Sequence, residues 1–519
     1  MGAIEEALMG LADEVTLNPD NVTTKSYSYA ETIISNRDNI EDKLSIENVL
    51  CEISEHGRWQ QKVFMLSVLV HYSNNNKYLI EMISYLLDNI NDISLDTLNY
   101  LYSQIRIIIF MKPEMSTLQV SELSWKLYDS VMDKYISFYA EELSPIEEPL
   151  NDDMVIVFTD QLIGVGHGPT KSALDRCKII IENMGKKVFL INTAEGDSHI
   201  GNTLFYNARI GTYNEEYLKI DKIEWKGTIV PYYQCQNNMP ETNEVRSIVS
   251  MIKHIRPAYA ISIGGGSVVV SLVSKLIPVL TIGMSPSEIQ PTKGMCQAYS
   301  RELSDEDVGL LQYVGRDRNH VIKAVFGSSI VDAKLKRTKE DIGLDESDFV
   351  IVLVGSRIPK EADEEFWSMV DKCNIPNLRI IILGCGQDEI QPGLKGFPNL
   401  VDKVYALGMQ DDPLGYMSIA DIYVNPTRRG GGTSCVEAMS LGIPVITTNY
   451  GDVAVNVGES FTVDTYDDMK DEIEKYSRDL DYYKNKSDMA TERASVLLNA
   501  EQSFVDMINE FKKRIKLPK

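Results

Sequence analysis

The sequence predicts an α/β protein in which two doubly wound, parallel-sheet domains face a cleft and follow an all-helical segment. Its 519 residues are too many for one hydrophobic core, so two or three cores are expected. From about residue 154 onward, short β-rich apolar runs alternate with helical patterns, which is typical of a parallel sheet covered on both faces. Residues 1–145 instead carry apolar side chains at helical spacing.

The individual elements are predicted from the periodicity of apolar residues, and their ends from the turn-forming residues Gly, Pro, Asn and Asp. In the first segment we predict helices at 59–72, 78–90, 94–111 and 117–140, then a polar linker at 141–153. The first sheet takes strands at 154–159, 187–192, 227–231, 259–263 and 279–283, with a helix at 170–184. The second sheet takes strands at 349–354, 378–383, 401–407, 421–424 and 445–448. Helices close the chain from about residue 467, the last near 488–513.

Composition and charge narrow the class of protein. The formal charge of −25 and the pI near 4.7 argue against nucleic acid or an anionic membrane as the main partner, since both require a basic surface. Seven scattered cysteines fit a reducing compartment better than a disulfide scaffold. No signal peptide is visible, so we expect a cytoplasmic protein, with peripheral contact to the inner face of the membrane as an alternative. The apolar stretch 259–284 is divided by glycines, Lys275 and Pro278, and therefore indicates a buried strand–turn–helix–strand.

The most informative motif is the glycine turn that follows the strand at 421–424. Its backbone can approach a ligand closely at three consecutive glycines, Gly430, Gly431 and Gly432. Thr433 and Ser434 are expected to cap the next helix, whose N-terminal amides and partial positive charge suit a phosphate. Arg428 and Arg429 add positive charge beside this turn. The pattern predicts a nucleotide-diphosphate site, with the Glu437 carboxylate placed to accept hydrogen bonds from a ribose.

This motif resembles the C-terminal donor-binding motif of GT-B glycosyltransferases, above all the retaining family four (glycosyl transferases group 1). The residues in register are Glu437, Ala438, Met439, Gly442, Pro444 and Val445. The family's first glutamate, eight residues upstream, is replaced by Arg429, the position that usually contacts the donor sugar. The resemblance covers roughly residues 154–515. It implies two Rossmann-like domains, which we place at 154–335 (acceptor side) and 340–487 (nucleotide-sugar side), after the helical domain 1–145. It also implies a C-terminal helix, 488–519, that crosses back to the first Rossmann-like domain.

The resemblance assigns roles to several residues of the second Rossmann-like domain. Gly355, Arg357 and Lys360 follow its first strand, where the family binds the donor's diphosphate. Arg357 would clamp two phosphate oxygens and Lys360 would act as a point charge; the alternative is a solvated loop. Gly408 and Met409 match the segment that receives the nucleobase through backbone groups, and uridine is the default base. Asp452 would bond sugar hydroxyls, or is an ordinary turn aspartate.

In the first Rossmann-like domain, Gly164, Gly166 and His167 form a glycine-rich loop after the first strand. His167 would act as a base toward an acceptor hydroxyl or bond the donor; the alternative is a turn histidine without a role. A second glycine turn at 264–267 is expected to face the acceptor, while His254 is expected to be structural.

No metal and no other cofactor is expected. The one Asp-x-Asp pair, Asp479 and Asp481, lies in the helical tail, and the cysteines lack paired spacing for zinc. The chain is therefore expected to be a metal-independent glycosyltransferase of hexosyltransferase type, with retention of configuration and a UDP-sugar as default donor. The acceptor is a glycan, a lipid-linked sugar or a protein, and residues 1–145 would serve acceptor recognition, self-association or a protein partner. The alternatives are a non-hydrolysing sugar-nucleotide epimerase and a non-catalytic GT-B partner subunit.

Overall fold

The computed structural model describes residues 2–39, 42–164, 167–196, 204–209, 211–285, 288–325, 327 and 335–515. The chain divides into two compact units. The first contains Met1–Ile282, Gln290–Gln297 and Leu303–Val321, and the second contains Gly283–Ile289, Ala298–Glu302 and Ile322–Lys519. The finer domain boundaries drawn from the sequence stay predictions.

The first unit begins with seven helices. They are α1 Gly2–Leu17, α2 Thr24–Ser35, α3 Lys43–Ser54, α4 Trp59–Ser73, α5 Asn76–Asp88, α6 Leu95–Met111 and α7 Leu118–Phe138, with short 3-10 helices at Arg37–Asn39 and Pro113–Met115. Polar side chains cap the N-termini of several helices. For example, the side chains of Ser94 and Thr117 accept hydrogen bonds from backbone amides in the first turns of α6 and α7. The four helices predicted between residues 59 and 140 match α4 to α7. Helices α1 to α3 had no predicted bounds.

A mixed sheet follows in the chain. Its elements are β1 Asn151–Thr159, α8 Gly168–Glu182, β2 Lys187–Asn192, β3 Lys222–Trp225, β4 Thr228–Gln234, α9 Thr242–Ile255, β5 Pro257–Ile263, α10 Val268–Val273, β6 Val279–Ile282, β7 Cys296–Tyr299, α11 Asp305–Tyr313 and β8 Val321–Lys323, with 3-10 helices at Glu215–Lys219 and Arg318–His320. The strand order is β3-β4-β2-β1-β5-β6-β7-β8. Strands β4, β2, β1, β5 and β6 pair in parallel, and β3 adds an antiparallel edge that the sequence analysis did not predict.

The helical segment and the first sheet share one hydrophobic core. Leu69, Leu101 and Val131 of the helices belong to the same buried cluster as Phe158 of β1 and Val269 of α10. Because the helices and the sheet bury apolar side chains in one cluster, the helical segment packs as part of the first unit.

The second unit is built on a sheet whose strands pair in parallel in the described residues. Its elements are β9 Phe349–Val354, α12 Ile358–Glu361, α13 Glu364–Asp371, β10 Leu378–Leu383, α14 Gln387–Leu394, β11 Val404–Ala406, α15 Pro413–Met417, β12 Ile422–Asn425, α16 Gly432–Ser440, β13 Val445–Thr448, α17 Gly451–Val457, β14 Thr462–Val463, α18 Tyr466–Arg478, α19 Leu480–Leu497 and α20 Ala500–Ile515, with 3-10 helices at Lys339–Ile342 and Glu459–Phe461. The order β11-β10-β9-β12-β13-β14 is the doubly wound order with β9 at the centre.

Alternate residues of the central strand enter opposite cores. Ile351 and Leu353 pack on one face of the sheet, and Val350 and Val352 pack on the other. Both faces are therefore covered, which confirms the predicted α/β class and doubly wound architecture.

The end of the chain differs from the prediction of one last helix near 488–513. There are two helices, because Asp479 caps the start of α19 and the Asn499 carbonyl accepts from the Ser503 N–H to begin α20. In the described part of the chain, no helix is both long and apolar enough to cross a membrane.

Candidate functional site

The site of interest lies in the second unit, at the carboxyl ends of β9 and β12. These two strands are neighbours at the centre of the sheet, with Ile351 paired to Ile422, and the strand order reverses between them. In doubly wound sheets this reversal point leaves a crevice where ligands bind. The two loops that leave it contain Arg357 and the glycine turn.

The glycine turn leads directly into α16. Gly431 is the N-cap residue and takes a left-handed conformation with φ of 97°, and no side chain caps the helix. The expectation that Thr433 and Ser434 cap α16 is wrong, because both lie inside its first turn. Ser434 donates to the Gly431 carbonyl at 3.0 Å and contacts the Tyr423 hydroxyl at 2.9 Å. An uncapped N-terminus keeps its partial positive charge for an anion.

Arg357 lies against this turn. A Cβ atom at Gly430 would stand 2.6 Å from Nη2 of Arg357, so the missing side chain is what admits the guanidinium. The Arg357 Nε donates to Oε1 of Glu361 at 2.7 Å, and 36 % of the Arg357 side chain stays exposed. Lys360 is exposed in α12, one residue before Glu361. Folding thus brings together a guanidinium and a glycine turn that are 73 positions apart.

The environment of Arg428 differs from that of Arg357. Its side chain is only 4 % exposed and donates to Asn425 Oδ1 at 2.6 Å and to the Val354 carbonyl at 2.8 Å. It also forms an ion pair with Glu361 at 3.2 Å. Arg428 lies beside the glycine turn, as predicted, since a Cβ atom at Gly431 would stand 2.6 Å from its Nη2. Its hydrogen bonds link the end of β9 to the end of β12, and Glu361 balances its charge.

Glu361 was missed by the sequence analysis. Its two carboxylate oxygens bind Arg357 and Arg428 separately, so it links the exposed guanidinium to the buried one. The spacing of four residues from Arg357 is the one local signal that points to this pair.

Arg429 is also buried, with 4 % of its side chain exposed. Its Nη2 pairs with Glu288 at 2.7 Å, and its guanidinium donates to the Tyr450 hydroxyl at 3.3 Å. Burial raises the pKa of Tyr450, so the hydroxyl stays protonated. The Glu288 carboxylate, from a distant segment of the sequence, balances the charge of Arg429. No local pattern predicts Glu288.

Asp452 and Glu437 flank the glycine turn. Asp452 is buried at the start of α17; its Oδ1 accepts from the Ser285 hydroxyl at 2.6 Å and its N–H donates to the Arg429 carbonyl at 2.7 Å. Glu437 is half-buried in the second turn of α16. The sugar and ribose contacts predicted for these carboxylates stay predictions.

The segment predicted to receive a nucleobase follows β11. Both backbone groups of Gly408 are engaged: its N–H donates to Cys385 at 2.9 Å and its carbonyl accepts from Gly384 at 2.8 Å. Met409 is 80 % exposed.

In the first unit, His167 is the N-cap residue of α8. Its Nδ1 lies 3.2 Å from the Thr170 hydroxyl, and its N–H donates to the Gly164 carbonyl at 3.0 Å. Burial lowers the pKa of His167, which favours the neutral imidazole. Gly166 lies outside the described residues. Among the described residues, no group of three or more His, Cys, Asp or Glu side chains is placed to hold a metal ion.

Comparison with known proteins agrees with this architecture. Residues 348–479 match the family described as Glycosyl transferases group 1. A mutant of the Thermobaculum terrenum O-GlcNAc transferase is 10% identical, with 99% of this chain and 97% of that chain covered and a TM-score of 0.51. A glycosyltransferase from Rickettsia africae ESF-5 is 13% identical, with 71% and 100% covered and a TM-score of 0.53. No curated protein matches the chain. The structural likeness shows a shared fold, and the first of the two also spans the helical segment.

Proposed function

We propose that the protein is a glycosyltransferase whose donor is a nucleoside-diphosphate sugar. Residues 348–479 match the Glycosyl transferases group 1 family, and the fold is shared with two solved glycosyltransferases. Uridine diphosphate is the default leaving group. The sugar would pass to a glycan, a lipid-linked sugar or a protein, without a metal ion and with retention of configuration. We also propose that the reaction takes place in the cytoplasm.

One observation carries the proposal: the Arg357 guanidinium, the side-chain-free Gly430 and the uncapped N-terminus of α16 meet at the reversal point of the second sheet. Transfer of the sugar releases a diphosphate, whose growing negative charge must be stabilised as the bond breaks. A guanidinium can bind two phosphate oxygens at once, and helix amides supply further donors.

The exposed arginine and the two buried arginines would have different roles in binding the diphosphate. Arg357, part of which is exposed, would contact the diphosphate, with Lys360 as a second charge. Arg428 and Arg429 are held by Glu361 and Glu288 and would position the turn rather than bind phosphate. Glu437 would accept from the ribose, and the Met409 backbone would meet the base.

On the acceptor side, His167 would remove the proton of the acceptor hydroxyl. Its lowered pKa leaves the imidazole neutral at pH 7, the form that a general base requires. Gly164 and Gly166 would shape the loop that holds it.

The test is release of nucleoside diphosphate from a panel of sugar nucleotides, with and without a chelator. We expect turnover of one donor that the chelator leaves unchanged. Arg357→Ala should weaken donor binding by about tenfold to a hundredfold, the loss of a charge-assisted contact of 1.5–3 kcal/mol. The matched control is Arg478→Ala, which removes an exposed arginine of the same unit that also pairs with a glutamate four residues away.

The alternatives give different products. An isomerised donor would identify a sugar-nucleotide epimerase, and no binding of any sugar nucleotide would identify a non-catalytic partner subunit. Equal donor affinity in Arg357→Ala and Arg478→Ala would remove Arg357 from the site.

A further inference from the structure

One edge of the first sheet is an exposed strand whose outward side chains alternate in charge. Strand β3 is the outermost strand at this end of the sheet and, within the described residues, pairs with β4 alone. An outermost strand presents unpaired N–H and C=O groups that can pair with a strand of another chain. The proposed sugar transfer does not involve this edge.

The register between β3 and β4 decides which backbone groups point outward. The Tyr232 N–H donates to the Asp221 carbonyl at 2.8 Å, so these two opposite residues form a hydrogen-bonded pair. In an antiparallel ladder such pairs alternate with pairs that are not hydrogen-bonded, and Lys222 and Glu224 belong to pairs of the second kind. Their backbone N–H and C=O groups therefore point away from β4, toward the free edge.

The two faces of this part of the sheet differ. Helix α8 covers one face, where the Trp225 Nε1 donates to Oδ1 of Asp175 at 2.7 Å. The other face carries Lys222 and Glu224 of β3, both exposed, and Ile229 of β4, which is 50 % exposed. Neither Lys222 nor Glu224 has an ion-pair partner within the described part of the chain, so both charges are available to a partner.

Two copies of β3 are complementary to each other across a two-fold axis. When the strands run antiparallel with Ile223 opposite Ile223 of the second copy, Lys222 lies opposite Glu224 of the second copy, and the reverse pair follows by symmetry. Both pairs join residues whose backbone groups point outward, so each pair can exchange two hydrogen bonds. Both pairs also join opposite charges, with Cβ atoms about 5 Å apart. A charged edge strand ordinarily resists pairing, but the alternation of lysine and glutamate makes this one self-complementary.

Strand β4 flanks each of these charged pairs with apolar groups. On the exposed face, Ile229 lies opposite Glu224 and Pro231 lies opposite Lys222. In the joint sheet each charged pair would therefore lie between an isoleucine and a proline, which shield it partly from water and strengthen it. Because β3 has only four residues and buries little area, we expect a dissociation constant of about 1–100 µM.

We propose that two copies of this chain form a symmetric dimer by antiparallel pairing of their β3 strands, with reciprocal contacts between Lys222 and Glu224. The two-fold axis closes the assembly at two copies, because the pairing uses the β3 edge of each chain. The proposal is independent of the donor and the acceptor of the proposed reaction.

The experiment is sedimentation velocity of the full chain between about 1 and 300 µM, where we expect a monomer–dimer equilibrium. Lys222→Glu and Glu224→Lys each place like charges opposite each other at both pairs, so each variant should dimerise about tenfold more weakly or worse. The matched control is Lys187→Glu, the same change of charge at an exposed residue of β2, a strand that is paired on both sides. This control should dimerise like the wild type.

A mixture of the two variants supplies the rescue. Lys222→Glu mixed with Glu224→Lys again has opposite charges at both pairs, so the mixture should form a heterodimer with about the affinity of the wild type. Both residues are exposed, so each variant should keep the circular dichroism spectrum of the wild type. In a mixture of isotope-labelled and unlabelled wild type, carbodiimide should cross-link Lys222 of one chain to Glu224 of the other, as read by mass spectrometry.

Four results would overturn the proposal. A wild type that stays monomeric at every concentration would leave the β3 edge to an extended segment of another protein. Dimerisation that both charge variants leave unchanged would place the interface elsewhere, and equal weakening in Lys187→Glu would make the effect one of net charge. A mixture of the two variants that stays monomeric would exclude the reciprocal contacts.

Discussion

Replacing Arg428 by Met tests whether this arginine is a scaffold for the glycine turn. Methionine has a similar length but no donors, so four acceptors lose a donor: the Asn425 amide oxygen, the Val354 carbonyl, the Tyr423 hydroxyl and Oε2 of Glu361. Breaking a buried ion pair by removing one partner costs about 3–5 kcal/mol when the remaining charge is left without a counterion. Glu361 keeps its contact with Arg357, so the lower end of this range applies. Each buried neutral acceptor left without a donor adds about 1 kcal/mol or more, but these terms overlap because the groups are neighbours. We therefore expect a loss of about 4 kcal/mol in the free energy of unfolding.

The assay is urea unfolding of the full chain, read in the second unit through Trp367, which lies in its core. The control is Arg478→Met, the same substitution at a side chain that is 57 % exposed and pairs with Glu474. A surface pair of this kind contributes about 0.5 kcal/mol or less. Equal unfolding midpoints for Arg428→Met and Arg478→Met would refute the scaffold role. So would unchanged stability with lost donor binding, because that result would make Arg428 a ligand contact.

Three further predictions concern the two units. Gly430→Ala places a methyl group 2.6 Å from Nη2 of Arg357, so the flexible guanidinium must move. Donor affinity measured by calorimetry should therefore fall about tenfold. The control is Gly396→Ala at an exposed position, which should leave donor affinity unchanged. The pKa of Glu195 is about 7 in the folded protein against an ordinary 4.5, so the folded state holds the proton more tightly and stability falls as pH rises from 4.5 through 7. The free energy of unfolding of the wild type should differ by up to about 3 kcal/mol between pH 5 and pH 8, and Glu195→Gln should abolish that difference. Urea unfolding at the two pH values measures it. Parallel pH profiles of the two proteins would contradict the prediction. His167→Ala should lower turnover about a hundredfold with donor affinity intact. Because burial lowers the pKa of His167 from its ordinary 6.5 and the neutral imidazole is the active form, wild-type turnover should hold at pH 6.5 and fall only at lower pH. Full turnover in the variant would exclude His167 as the base.

Much of the second unit follows from local sequence. The strands Phe349–Val354, Leu378–Leu383 and Val445–Thr448 have the predicted bounds, because long apolar β-branched runs bounded by turn residues leave few alternatives. The turn before α16 was likewise predictable, since three consecutive glycines stop a strand and allow the left-handed conformation at Gly431. The structure places Arg357 beside that turn, and its contact with a donor stays a prediction.

The sequence by itself thus determined the α/β class, most strands and the position of the glycine turn, because these depend on apolar periodicity and on the conformational limits of single residues. The tertiary structure alone decided which arginine is exposed. Arg357, Arg428 and Arg429 have the same chemistry, and their roles are separated by Glu361 and by Glu288, the latter 141 positions from Arg429. The same holds for the shared core of the helices and the first sheet. Burial and ion pairing are set by contacts between distant segments, and a local pattern carries no information about such contacts.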